Sequence, residues 1–360
     1  MKKEKISIQR FAVFFIFDGR MVHKIYIPGI FLLMILMVRC NAPTLYQAVK
    51  FQGQTQGTYY VVTYYDDRNR NLQSEIDDIL AEFDLTASMW IEQSIISRIN
   101  RNEAGAEINA VFREIFEKSK MVYERSGGVF DPTIGPLVNA WGFGFTDRMK
   151  VDQQVVDSLL PLVGFDKVSL SERGVVKSDP RVQFDFNAIA QGYSVDLIGE
   201  FLESKGIQNY LVDIGGEVLG KGKKPDGSEW KVGIEKPGDN ANYGEGLKAI
   251  VTLKDRAMAT SGNYRKFYEE DGIRYSHTID PKTGYPVQHS ILSVSVIAAD
   301  CASADAWATA FLVSGLDRSI EILGRDRNLE AYFIYSGSTT GDLKTYFTEG
   351  FKEILVEEME

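Results

Sequence analysis

Cysteine and histidine are scarce in this chain, and each scarcity removes a class of chemistry. Of 360 residues, two are cysteine and three are histidine. Past Cys40 only Cys301 remains, and a single thiol cannot close an internal disulfide, so this is not a disulfide scaffold. Cys301 lies among Ala298, Ala299 and Ala302 and reads as a small buried residue rather than a nucleophile. Beyond residue 40 the histidines are His277 and His289, too few for a histidine-rich zinc or iron site. Any metal must therefore rest on oxygen donors, which favours Mg²⁺. Positive charge is also in short supply. The formal net charge is −10; residues 1–40 carry seven Lys/Arg against Glu4 and Asp18, which leaves −15 for the remainder. A body that acidic repels a phosphate backbone, so nucleic acid is not a partner.

There is no apolar run long enough for an ordinary membrane span. Ile25 to Val38 is nearly unbroken, but as a helix it would cover about 21 Å of a roughly 30 Å hydrocarbon core. Following Lys24, it reads as the core of an export signal occupying residues 1–40, with Met21 as a candidate start. The run ends at Cys40, where a bacterial lipoprotein would be cleaved and lipidated, although Arg39 stands where a small residue is usual. The expectation is an exported protein held by a lipid anchor at the periplasmic face of the bacterial inner membrane, with a cleaved soluble form or an uncleaved anchor as the alternatives.

What is present is ordinary for a folded domain: 44% apolar and 25% charged residues, with no internal repeat and no long linker. Alternation over Tyr59–Tyr65 predicts a strand entered through Gly57. Ile76, Ile79, Leu80 and Phe83 predict a helix over Ser74–Phe83. Asn109 is placed to cap a helix over Ala110–Arg125 closed by Gly127-Gly128, and Asn187 to cap another over Ala188–Ser204 closed by Gly206. Leu211–Gly216, Ile250–Leu253, Ile291–Ala298 and Ala331–Tyr335 read as strands. Interleaved helices and strands predict an α+β fold, one large mixed unit over residues 41–360.

Four segments concentrate Gly, Asp, Asn and Thr. Gly128–Pro136 (GVFDPTIGP) combines two rigid X-Pro turns with glycines that let backbone amides approach a ligand. Asp185–Tyr193 (DFNAIAQGY) places Asp185 and Asn187 at a helix mouth, a natural anion seat; ordinary capping by Asn187 is the alternative, and it leaves Asp185 and Gln191 unexplained. Val212–Gly216 is a strand entering paired glycines, for which a hairpin turn is the simplest account. The fourth pairs His277–Gly284 (HTIDPKTG) with Ala304–Thr309 (ADAWAT). Asp305 and Thr309 are four apart on a predicted helix, so both project from one face and can grip a hard cation. The alternative for Asp305 is a first-turn carboxylate favoured by the helix dipole, with Ser303 as the cap.

In combination and order, these motifs resemble the ApbE family of FAD:protein FMN transferases. The likeness runs from about Gln52 to Glu357 and includes Gly57-Thr-Tyr-Tyr60 and Ser97-Arg-Ile-Asn100. The resemblance implies a T-fold-like unit with FAD in a cleft between subregions. It also implies Mg²⁺-dependent transfer of FMN from FAD to a Ser or Thr hydroxyl of an exported or membrane redox protein, with release of AMP. By the same likeness the metal is held by the carbonyl of Ala188 and the side chains of Asp305 and Thr309. The FAD pocket draws on Phe130, Asp131, Asp185, Gln191 and Ile279, and Trp90 stacks on the flavin. Three positions depart from the family pattern: Trp90 for Tyr, Gln56 for Met, and Ala308 for Ser beside the metal threonine. The imidazole of His277, with an ordinary pKa of about 6.5, can take the proton of the incoming hydroxyl or polarise the phosphate. Asp280, Pro281 and Gly284 fix the turn that aims it, so Asp280 is assigned a structural role. FAD hydrolysis to FMN and AMP at the same metal, and a non-catalytic FAD-binding lipoprotein, are the alternatives.

Overall fold

A computed structural model describes residues 47–359, apart from 145–148, 173, 239–245, 264–266, 271–272 and 338–341. The proposed export signal and Cys40 lie outside the described residues. Residues 46–360 form one compact unit. Among the described residues, no helix is long and apolar enough to cross a membrane.

The centre is an eight-stranded antiparallel sheet whose spatial order follows the chain. Its strands are β1 (Ala48–Thr55), β2 (Thr58–Tyr65), β3 (Tyr210–Ile214), β4 (Glu217–Lys221), β5 (Arg256–Gly262), β6 (Ile291–Ala298), β7 (Glu330–Ser336) and β8 (Leu343–Phe347). Alternation works as expected in β2, where Tyr60, Val62 and Tyr64 are buried and the residues between them are not. The strands β6 and β7 bury both faces. Val294, Val296, Ala331 and Phe333 join the cluster under the helices, whereas Ile297, Tyr332 and Ile334 join a second cluster with Val251, Leu253 and Phe351. That second layer is a three-stranded sheet of Trp230–Glu235, Leu247–Leu253 and Leu355–Glu358.

The helices are insertions between sheet neighbours. Between β2 and β3 come α1 (Gln73–Ala87), α2 (Ala110–Ser126) and α3 (Ala190–Ser204); between β6 and β7 come α4 (Cys301–Ser314) and α5 (Leu316–Leu323). In α2 the Asn109 side chain accepts the Phe112 amide at 2.8 Å, and Gly127 ends the helix in the left-handed conformation. The stop expected for α1 at Phe83 falls four residues early, because Thr86 and Ala87 are also buried and extend the packed face. Cys301 is fully buried, as its alanine neighbours implied.

Two expected helix starts are corrected. Asn187 does not cap α3: its amide donates to Asp185 Oδ1 at 2.8 Å, which bends 187–189 into a turn, and the helix begins at Ala190 without a side-chain cap. Ser303 does not cap α4. Asp300 does, its Oδ1 accepting the Ser303 amide at 2.9 Å, so Asp305 falls in the second turn, outside the reach of a first-turn dipole explanation.

In α4 twelve of the fourteen residues are buried, so it is a central helix, and Asp305 is its one charged residue. Its alanines let α3 approach closely. A Cβ on Gly192 would lie 2.4 Å from the Cys301 carbonyl oxygen and 2.8 Å from Asp305 Cβ. Those are backbone and rigid atoms with nowhere to go. Gly192→Ala should therefore lower stability by about 1–3 kcal/mol through overpacking, seen as a lower urea midpoint; an unchanged midpoint would show that the two helices are not in this contact.

Candidate functional site

The first turn of α3 joins three motifs. The Gly192 amide donates to Asp305 Oδ2 at 3.1 Å, which ties the α4 carboxylate to the turn that carries the Ala188 carbonyl. The preceding residue, Gln191, donates its side-chain amide to the Ile214 carbonyl at 2.8 Å and to Glu217 Oε2. Ile214 and Glu217 flank the Gly215-Gly216 turn of the β3–β4 hairpin, both glycines at positive φ (62° and 108°), so the paired glycines are indeed a hairpin turn. A Cβ on Gly215 would sit 2.6 Å from Gln191 Nε2, so this glycine also admits the glutamine. One helical turn along α4, Thr309 Oγ1 lies 3.1 Å from Ser261 Oγ on β5. Ala188, Gln191, Asp305 and Thr309 are thereby brought into one neighbourhood.

The electrostatics of that neighbourhood are unfavourable as they stand. Burial pushes Asp305 up to about 7, opposed only by the Gly192 amide. Burial also raises Glu217 well above the usual carboxylate range, and the charge of Asp305 adds to it. Two carboxylates withdrawn from water and repelling each other are costly unless a proton or a shared cation neutralises them. Among the described residues no group of three or more His, Cys, Asp and Glu side chains is placed to hold a metal. A cation here must rest on mixed oxygen donors: carboxylate, hydroxyl and carbonyl. The donor set of Asp305, Thr309 and Ala188 has the hard character Mg²⁺ requires, and the residues fit that ion.

A second group adjoins the first through the 183–192 segment. The Asp185 amide donates to the Pro132 carbonyl at 2.7 Å, which brings the GVFDPTIGP loop against the start of α3. Asp131 Oδ1 accepts the Thr133 amide at 2.8 Å and the Thr133 hydroxyl at 2.6 Å, and Thr133 Oγ1 accepts the Gly164 amide at 2.7 Å. Burial pushes both Asp131 and Asp185 up to about 6; Thr133 opposes it for Asp131 and the Asn187 amide for Asp185. The Phe130 ring belongs to the main core at 2% exposure, so it supports the loop from beneath.

The HTIDPKTG turn forms a third group. Asp280 Oδ1 accepts the Lys282 amide, the Asp280 carbonyl accepts the Gly284 amide, and the Gly284 carbonyl accepts Trp141 Nε1, each at 2.8 Å. These bonds make Asp280 a turn-fixing residue. Ile279 packs with Leu137, Trp141 and Val163, and the His277 ring meets Phe143 edge-on at 6.3 Å between centroids. Through Trp141, the turn is linked to the segment that begins at Phe130. Trp90 stands apart with 66% of its surface exposed, and among the described residues no hydrogen bond or ring contact joins it to these groups.

Sequence reasoning passed over Glu217, Ser261 and Asp196. Glu217 could have been noticed as the residue closing the Gly-Gly hairpin, and Ser261 lay in a strand whose neighbours are 30 or more residues away in the chain. Asp196 accepts the Cys301 and Ala302 amides at 2.7 and 2.9 Å and so pins the start of α4. Two surface cavities, one edged by Glu114, Lys118, Asp196 and Asp300 and one by Asn102, Glu103 and Lys177, are not lined by Asp305, Thr309 or His277.

A family model described as the ApbE family matches residues 56–333. The chain is similar to the FAD:protein FMN transferase of Haemophilus influenzae, at 35% identity over 334 residues that cover 88% of this chain and 94% of the relative. It is likewise similar to that of Escherichia coli, at 32% over 320 residues covering 85% and 89%. Among solved structures, the apo form of Pseudomonas stutzeri flavinyl transferase ApbE superposes with a TM-score of 0.77 at 32% identity, covering 87% of this chain and 98% of that one. Flavin transferase ApbE from Vibrio cholerae gives 0.75 at 32%, covering 86% and 100%.

The raised carboxylates predict a pH dependence. Asp185 has a folded pKa of about 6 against an ordinary 3.8, so the folded state binds its proton more tightly than the unfolded state does. Its stabilising contribution is complete below the unfolded value and is lost as pH rises through about 6. In metal-free buffer, Asp185→Asn should shrink the fall in stability between pH 4 and pH 7.5 by on the order of 1–3 kcal/mol. Urea titrations at the two pH values measure this, and an unaltered fall would mean that Asp185 is ionised in the fold.

Proposed function

This chain belongs to the ApbE family, and from that membership we propose that it transfers FMN from FAD to a Ser or Thr hydroxyl of a partner redox protein, releasing AMP, with Mg²⁺ as cofactor. The observation that carries the reading is the buried Asp305, held by the Gly192 amide in the first turn of α3, four residues past Ala188, and one turn from Thr309. When bound there, the ion would neutralise charge on the non-bridging phosphate oxygens.

The chain's own residues supply the rest. Asp305, Thr309 and the Ala188 carbonyl would hold the cation. The 130–136 loop, joined to Asp185 through the Pro132 carbonyl, adjoins this group, and the exposed ring of Trp90 offers a face for the flavin. His277, aimed by the Asp280 turn, takes the proton from the acceptor hydroxyl as its oxygen bonds to the flavin-side phosphorus. The bond from that phosphorus to the bridging oxygen breaks, and AMP leaves with the bridging oxygen. The segment ending at Cys40 would deliver the enzyme to the outer face of the inner membrane, where exported redox subunits are found.

Incubating the protein with FAD, Mg²⁺ and a candidate acceptor should give covalent flavin fluorescence on the acceptor, abolished by EDTA and by Asp305→Ala in a protein that still folds. AMP without labelling would indicate a pyrophosphatase, and tight FAD binding with neither product would indicate a carrier. His277→Ala should retain FAD binding while slowing transfer by ~10²–10⁴-fold, the range of a general base. A transfer rate equal to that of the unmodified protein would restrict His277 to a structural part.

A further inference from the structure

Consecutive residues of one helical turn each bind one carboxylate. Gly192 gives its amide to Asp305, and Gln191 gives its side-chain amide to Glu217. Glu217 is 9% exposed and Asp305 is 6% exposed. The Gly215-Gly216 turn immediately before Glu217 leaves no Cβ in the way of Gln191, so the glutamate is delivered to this point by the shape of the hairpin. Among the described residues no basic side chain pairs with either group: the hydrogen bonds they accept come from the Gln191 side chain and the Gly192 amide, and the charges nearest Glu217 are Asp305 and Asp213. For one carboxylate, bonds from amides are an adequate substitute for water. For two that repel each other in the core they are not, and the arrangement needs either a proton or a cation to neutralise it.

We propose that Glu217 is the second carboxylate of the cation site, a residue that with Asp305 gives the pocket a charge of −2 matched to a divalent ion and that positions Gln191 at its edge. The inference rests on the cation reading of Asp305 and Thr309 and adds to it a residue from a different motif, the β3–β4 hairpin. It also accounts for the hairpin's tight turn, which a role in chain reversal alone leaves unrelated to α3.

The test is Mn²⁺ binding to the whole chain, followed by the loss of the free-ion electron paramagnetic resonance signal, together with thermal unfolding in metal-free and Mg²⁺ buffers. Glu217→Gln keeps the size and the bond to Gln191 but removes a charge. It should weaken Mn²⁺ binding roughly 10–100-fold and should unfold at a temperature equal to or above that of the unmodified protein without metal, while gaining less from Mg²⁺. A residue that merely braces the hairpin would give neither the affinity loss nor this reversal. Glu217→Asp, which keeps the charge, should retain most of the divalent affinity; if it loses as much as Glu217→Gln, charge is not the determinant and the proposal fails. Normal Mn²⁺ binding in Glu217→Gln alongside loss in Asp305→Asn would overturn this inference and leave the Asp305 site standing. Normal binding in both would overturn the cation reading itself.

Discussion

A carboxylate on a helix with no solvent face is the constraint around which the molecule is arranged. Asp305 sits in α4, where alanines, Trp307, Phe311 and Leu312 are packed on every side, and water cannot meet its charge. One backbone amide from α3 meets part of that need. Such a group is tolerated in a core only when its charge is neutralised by a proton or shared with a cation. The surrounding contacts hold it in place. Glycine at 192 lets α3 close on α4, Asp196 and Asp300 fasten the start of α4, and Thr309 presents a hydroxyl one turn further on.

The sheet supplies the rigid frame for this. Because the eight strands follow one another in chain order, every excursion returns to the strand beside the one it left. The helices inserted between β2 and β3 and between β6 and β7 are thus brought over the same face, and α3 and α4 meet there. The HTIDPKTG turn belongs to the excursion between β5 and β6, and Trp141 fastens it to the loop that begins at Phe130. Residues more than a hundred positions apart share one neighbourhood without any long linker having to be ordered.

Local features were legible from the residues alone. Alternation gave β2, the exact span of β6 was marked by its apolar run, and Asn109 with Gly127 bounded α2 almost to the residue. The four-residue spacing of Asp305 and Thr309 placed both on one helix, as found. Helix starts were less legible, because several Asp, Asn and Ser residues near a start compete for the same amides. Asp185 took the Asn187 amide and Asp300 took that of Ser303, and each shifted a boundary. The roles of Glu217 and Ser261 were not legible, since each depends on which strand lies beside α3 or α4, and pairing across the sheet leaves no mark in local spacing. Phe130 illustrates a further limit: the motif marks the loop, yet the aromatic ring itself is spent on the core. Family membership, from a model match over residues 56–333, adds what no local pattern carries, a set of relatives named as FAD:protein FMN transferases.

The account turns on a divalent ion held by Asp305 and Thr309 against the diphosphate of FAD. Anomalous diffraction from crystals grown with FAD and Mn²⁺ tests it most directly. The predicted result is a manganese peak within coordinating distance of the Asp305 carboxylate, the Thr309 hydroxyl and the FAD phosphates. A bound FAD whose phosphates lie elsewhere, or a manganese peak remote from both side chains, would contradict it.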